Sequence, residues 1–428
     1  MHSESNLTEI TLVVVAALAG GLAFTRIKQP PILGYILAGI ILGPSGIGLV
    51  ESREPVNILA ELGVLLLLFV VGMELNLRVF KKAWAVTTFC TILQVAASLG
   101  ITFVIGPLFG WTTGVSLLLG FVIALSSTAV VVKMLESIGE FRTETGQIAI
   151  GVLIAQDLAI VPMILILRNM GSSLLDPGML MKILFSVGLI IALISYLSRR
   201  QRVRIPLTHI IASEKDLTPL VSLTFCFIAA AVSGLIGLSA AYGAFLAGLI
   251  LGNTHERILM LETTKPIQST LMMVFFLSIG LLLDLQFIYD NLLKVTILLL
   301  VITLGKTALN IAILHLLRLP WSQSFLIGVV LAQLGEFAFL LTTVGYETKI
   351  IDVPGQKLII ALTVLSLAFS PLWLAAARRL KKRADMQNTG FLGVLKTAFG
   401  EEMIFWRKRW DYLKFRRLLS KRKEMDEE

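Results

Sequence analysis

Apolar runs of about 18–24 residues follow one another along most of this chain, each the length a helix needs to cross a bilayer. That spacing limits the fold more than any other feature. Hydrocarbon offers backbone groups no water to bond, so lipid-spanning runs of this kind must be helices. Composition agrees. Of the 428 residues, 56% are hydrophobic and 15% charged, where a soluble domain has about a quarter charged. The expected fold is an all-α polytopic membrane protein. Thirteen spans are read, centred near Ala16, Ile40, Leu67, Val95, Ala124, Ile154, Leu189, Ile228, Ala247, Phe275, Val301, Leu331 and Leu365. The opening "MHSESNLTEI" lacks the basic stretch of a cleavable signal, so the first run is expected to be a retained span. Cys90 and Cys226 lie in separate apolar runs and read as small buried hydrophobes. The four histidines are scattered without ligand spacing, which argues against a haem or zinc site.

Thirteen spans place the termini on opposite sides. Loops on one side carry fifteen Lys and Arg, from Arg26 to Arg318; those on the other carry six, from Arg53 to Lys357. The positive-inside rule makes the first side cytoplasmic. The N-terminus is then outside and the C-terminus inside, in an integral protein of a bacterial inner or plasma membrane. The net charge of +9 reflects these loops and a basic tail, so nucleic-acid binding is not expected.

The two halves echo each other at a nearly constant offset. "GYILAGIILG" (34–43) returns as "GAFLAGLILG" (243–252), 209 residues later. "LLLFVVGMELNL" (66–77) aligns with "VFFLSIGLLLDL" (274–285), and "GFVIALSST" (120–128) with "GVVLAQLGE" (328–336), both at 208. Matching spans are seven apart, so the second half is expected to run upside down relative to the first. Inverted repeats of this kind occur in many secondary transporters, with the binding site at the midplane between discontinuous helices. Repeat one covers about 7–170, a linker helix about 180–198 and repeat two about 217–377. Together they form a transmembrane domain over 1–377, followed by a basic cytoplasmic tail over 378–428.

The polar residues of two repeat-related spans mark that midplane. Ser126, Ser127 and Thr128 interrupt the fifth span, and Gln333, Gly335 and Glu336 the twelfth. Such runs can unwind a helix and free oxygen ligands; the alternative is that they bond back to their own or a neighbouring helix. The sixth span holds Gln156 and Asp157 within "GVLIAQDLAIVPMI". An intramembrane carboxylate is a functional candidate by default. Lys306, alone in the apolar eleventh span, is available to pair with it as its charge partner. Burial penalises the charged form of a carboxylate, so Asp157 holds a proton or a cation but not both. That competition gives exchange. Gln156, Ser126, Ser127 and Thr128 are expected to supply further oxygens. All-oxygen ligation with one negative charge suits a monovalent alkali ion, K⁺ or Na⁺, better than a transition metal. Glu336 is left with two roles: neutralising half-helix ends, or pairing with an unidentified cation.

At these residues the chain resembles a known family. "LGYILAGIILGPSGIG", "LGVLLLLFVVGMELN", "ALSSTAVVVKML", "AQDLAIVPMI", "FFLSIGLLLDL" and "AQLGEFAF" look like the membrane domain of the monovalent cation:proton antiporter-2 family, Kef type, over roughly 10–378. The resemblance implies a sodium/proton antiporter-like fold with crossed discontinuous helices, a homodimer, and an elevator-like cycle that exchanges K⁺ for H⁺. It implies that Asp157 binds the ion, with Gln156 and Lys306 near it. Kef-type proteins commonly continue into a nucleotide-binding regulatory domain of the RCK type. No GxGxxG or alternating βα pattern follows Ala377 here; the tail suits an acidic lipid interface or a regulatory subunit. With Gln in place of a second adjacent acid, one-for-one exchange is expected unless Lys306 also gives up a proton. No resident cofactor is expected, and the partners are the lipid bilayer and a second copy. A channel-like K⁺ efflux pathway is the alternative, disfavoured because the chain has no TVGYG-type filter. An intramembrane aspartyl protease would need two acids in one site, and Lys306 and the repeat argue against it.

Overall fold

The computed structural model describes residues 2–26, 29–49, 54–74, 77–170, 177–199, 217–236 and 238–384. All regular structure among them is helical. Chain contacts divide into a unit over 1–368 and a second over 369–428. The tail singled out above lies, from residue 385 onward, outside the described residues.

Each expected span falls on a helix or on a broken pair. The first three are α1 (His2–Arg26), α2 (Pro31–Leu42) and α3 (Glu54–Glu74). Then come α4 (Leu77–Ile105), α5 (Thr113–Ala124), α6 (Thr128–Ser137), α7 (Glu144–Asn169) and α8 (Pro177–Arg199). The second half holds α9 (Thr218–Leu235), α10 (Ala240–Leu251), α11 (Arg257–Leu282), the short α12 (Leu285–Asp290) and α13 (Leu292–Leu316). It ends with α14 (Trp321–Val330), α15 (Phe337–Glu347) and α16 (Val353–Ala384). Seven helical stretches among the described residues are long and apolar enough to cross a membrane, the α5–α6 pair counting as one. Others, such as the 12-residue α2 and α10 and the 10-residue α14, are too short to span alone, at 1.5 Å per residue against a core of about 30 Å.

Packing sorts the helices into two groups. One contains α1, α2, α3, α9, α10 and α11; the other contains α4, α5, α6, α7, α13, α14 and α15. In the first group, Leu66, Phe69, Val70 and Met73 of α3 interlock with Ala244, Ala247 and Leu251 of α10. On the other side of the group, Ala38 and Leu42 of α2 meet Leu277 and Leu281 of α11. Close approach depends on missing side chains. A Cβ on Gly39 would meet the Leu277 carbonyl, and one on Gly248 the Phe69 carbonyl. The two contacts correspond at the expected offset: Gly39 and Gly248 stand 209 residues apart, and Phe69 and Leu277 stand 208. Gly72 against Phe245 and Gly280 against Ile36 repeat the pattern.

The expected linker helix is α8. It touches α4 and α7 of one group and is tied to α10 of the other, where the Tyr242 hydroxyl donates to the Ser186 carbonyl at 2.8 Å. Cys90 and Cys226 are buried free thiols, as read.

Between the groups lies a cavity of about 1120 Å³, lined among others by Glu61, Ile164, Phe275, Asp284, Leu340 and Glu347. Ile164 stands seven residues beyond Asp157 on α7, about 10 Å along the axis, and with Phe275 and Leu340 gives the lining an apolar part.

Candidate ion-binding site

Two helix breaks build the site. The first lies between α5 and α6, where Leu125 and Ser127 adopt extended backbone. The second runs from Leu331 to Glu336, between α14 and α15. They touch: a Cβ on Gly335 would lie 2.8 Å from the Ser126 carbonyl carbon and oxygen.

Buried backbone groups need partners, and those freed here find them in side chains. The Lys306 ammonium donates to the Gln333 carbonyl at 3.0 Å and also to the Leu125 carbonyl. It therefore sits where α5 ends and just past the end of α14, where the helix dipole is negative. The Leu331 carbonyl accepts from the Ser126 hydroxyl at 2.8 Å and from the Asn310 amide at 3.3 Å. The Leu334 amide donates to the Ser366 hydroxyl at 3.0 Å.

Gln156 belongs to this scaffold. Its carbonyl accepts the Ser126 amide at 2.9 Å, and its NH₂ donates to the Gln94 carbonyl at 2.8 Å. Gln94 in turn donates to Asn310 at 2.9 Å. A closed ring of hydrogen bonds thus runs Ser126, Gln156, Gln94, Asn310, the Leu331 carbonyl and back to Ser126. All four side chains in it are nearly fully buried. Gln156, expected as a ligand, is engaged in joining the two breaks. Gln94 and Asn310 were not singled out from the sequence, although each is an amide inside an apolar run.

The carboxylates gather at the opposite helix ends. Ser127 caps α6, its hydroxyl accepting the Val130 amide at 3.3 Å. The Thr128 hydroxyl donates to the Asp157 carboxylate at 3.2 Å. Hydrogen-bonding interactions reach the Glu336 carboxyl from the Ser127 hydroxyl and from the Ala129 amide. Both acids therefore face the first turn of α6, where the dipole is positive. The expected Asp157–Lys306 ion pair is not formed: the described ion pairs are Arg168–Glu347, Lys265–Glu74 and Lys357–Asp284. The lysine compensates helix C-termini, and the acids face an N-terminus, because half-helix ends in a buried site attract opposite charges.

Asp157 and Glu336 are 7% and 8% exposed, and among the described residues no cation is paired with either. Glu336 lies against the start of α6, a half-helix end. Gln333 contributes its carbonyl to Lys306, while its side-chain amide is buried with no partner. The structure thus brings together every expected site residue. It joins them in two sets: Ser126, Gln156, Lys306 and Gln333 hold the breaks, while Ser127, Thr128, Asp157 and Glu336 face α6.

Residues 13–377 match the family model described as sodium/hydrogen exchanger, transmembrane. The chain is 46% identical over 401 residues to the iron transporter MagA of Paramagnetospirillum magneticum, covering 94% of this chain and 92% of that one. It is 32% identical to K(+) efflux antiporter 5 of Arabidopsis thaliana, over 86% of this chain and 65% of the relative. It is 29% identical to the glutathione-regulated potassium-efflux system protein KefC of Escherichia coli, over 89% and 62%. The chain thus spans less than two thirds of the length of those two relatives. Among solved structures, the sodium proton antiporter MjNhaP1 from Methanocaldococcus jannaschii superposes with a TM-score of 0.65 at 17% identity, covering 86% of this chain and 98% of that one.

Proposed function

The chain belongs to the sodium/hydrogen exchanger family, and on that premise we propose that it exchanges K⁺ for H⁺ with Asp157 as the shared carboxylate. The coarser statement needs no proposal: this is an integral membrane cation/proton antiporter, a transporter and not an enzyme.

One observation carries the finer reading. Asp157 is buried beside the Thr128 hydroxyl and the α6 N-terminus, with no cation of the described residues paired to it. A carboxylate so placed is neutralised by a proton or by a mobile cation. Either occupant leaves a site fit to cross; an empty charged site is costly to move. The cavity between the helix groups gives an approach from one end. Reciprocal glycine contacts support two halves related by a twofold operation, and so alternating access by movement of one helix group past the other. The homodimer, the outward N-terminus and the inward C-terminus belong to the same proposal. Relatives named K⁺ antiporters favour K⁺ over Na⁺.

The test is cation-dependent proton movement in proteoliposomes, with K⁺ and Na⁺ supplied separately. Fe²⁺ is a third arm, because one relative is named an iron transporter. K⁺-dependent proton movement supports the proposal. Na⁺ or Fe²⁺ as the only effective ion replaces the substrate. K⁺ flux without proton movement would make the pathway conductive and overturn it.

A further inference from the structure

We propose that Glu336 and Asp157 form one two-carboxylate site at the N-terminus of α6, and that both acids take up a proton when the cation leaves. The inference rests on the reading of Asp157 as the carrier.

Three successive residues at the N-terminal end of α6, its cap included, divide between the two acids. Thr128 donates its hydroxyl to Asp157 at 3.2 Å. Ser127 and Ala129, on either side of it, present a hydroxyl and an amide to Glu336. The carboxyls therefore share one helix end, although one comes from α7 and the other from the second break, 179 residues further along the chain. Among the described residues, Glu336 acts electrostatically on Asp157, and Glu74 does so more weakly. Glu74 is engaged with Lys265 at 2.7 Å, which leaves Glu336 as the unpaired one.

An orphan oxygen gives the second, independent observation. Glu336 Oε2 is buried with no hydrogen-bond partner, in a residue more than nine-tenths buried. Leaving such an atom unpaired is costly, and a buried acceptor-only oxygen is completed by a cation or a proton. A helix N-terminus offers anions partial compensation only; it does not neutralise two of them.

The charges balance as follows. With a monovalent cation bound, Asp157 and Glu336 are both ionised. When the cation leaves, one proton binds to each carboxylate. Two positive charges then cross against one, and each cycle moves one net charge. Lys306 keeps its proton throughout, since its ammonium holds the Leu125 and Gln333 carbonyls. The single adjacent acid of the sequence motif therefore undercounts the protons: the second acid arrives from the other half of the fold.

The experiment measures current and pH change together, on a cation concentration jump over full-length protein in proteoliposomes adsorbed to a solid-supported membrane. Wild type is expected to give cation-dependent proton movement with a sustained net charge transfer. Glu336→Gln should keep proton movement at reduced ratio and lose the net charge transfer; Glu336→Asp should retain it. A wild type that moves no net charge overturns the proposal. So does a Glu336→Gln variant that still transfers net charge, which would assign the second proton elsewhere. If Glu336→Gln stops exchange altogether, Glu336→Asp decides: restored current supports the pair, and unrestored current overturns it. Asp157→Asn separates the two readings, because a variant that still exchanges defeats the carrier assignment whatever Glu336 does.

Discussion

Lys306 Nζ donates to the Gln333 carbonyl at 3.0 Å and not to Asp157. The lysine closes one pair of half-helix ends while the aspartate faces another. The energetic roles of the two residues are therefore separable.

Lys306→Gln should destabilise the protein by about 1–3 kcal/mol, since two buried carbonyls lose a charged donor. Asp157→Asn should leave stability nearly unchanged. A double-mutant cycle by thermal unfolding in detergent should give coupling below about 0.5 kcal/mol. Coupling of several kcal/mol would mean a direct ion pair.

The Gln94–Asn310 bond, 2.9 Å long, closes the ring between the breaks. Asn310→Leu should cost about 1–3 kcal/mol, because Gln94 and the Leu331 carbonyl each lose a buried partner. The double variant Gln94→Leu with Asn310→Leu should cost less than the sum of the single changes, as expected within one network. Thermal stability of the four proteins checks this.

Gly335 rests on the Ser126 peptide with no room for a side chain, a Cβ falling 2.8 Å from the carbonyl. Backbone cannot yield as a side-chain tip can. Gly335→Val should reach the membrane and lose exchange at least tenfold, with overpacking of about 1–3 kcal/mol. Wild-type exchange by this variant would show that the breaks move apart freely.

Asp284, in the lining of the cavity, accepts the Lys357 ammonium at 2.7 Å. That bond, with the Phe287 amide, holds the Asp284 carboxyl below the usual carboxylate range. A carboxyl so depressed adds stability that is present above the ordinary value and lost as pH falls through the lower one. The pair is partly exposed, so screening keeps its worth below about 1 kcal/mol. Thermal stability should fall more steeply between about pH 5 and 3 in wild type than in Asp284→Asn; equal slopes would assign the pair no role.

The fold was readable where physics acts through length and spacing. Span-length apolar runs set the helices, and the serine run at Ser126 and the glycine at Gly335 marked both breaks. What the sequence could not give is which buried groups face each other. Lys306 and Asp157 carry opposite charges in apolar runs. Yet the lysine's partners are backbone carbonyls, which have no letter of their own. Gln94 and Asn310 stand 216 residues apart in their bond, and neither suggests the other. Gln156 adjoins Asp157 in the chain, but on a helix adjacent residues point about 100° apart, and its amide bonds to Ser126 and Gln94.

The most direct test of the account is K⁺ affinity of the purified protein measured against pH, in wild type and Asp157→Asn. If one carboxylate holds either ion, wild-type affinity falls as pH falls, and the variant loses both the affinity and its pH dependence. A variant that binds K⁺ as wild type does, with the same response to pH, would contradict the account at its centre.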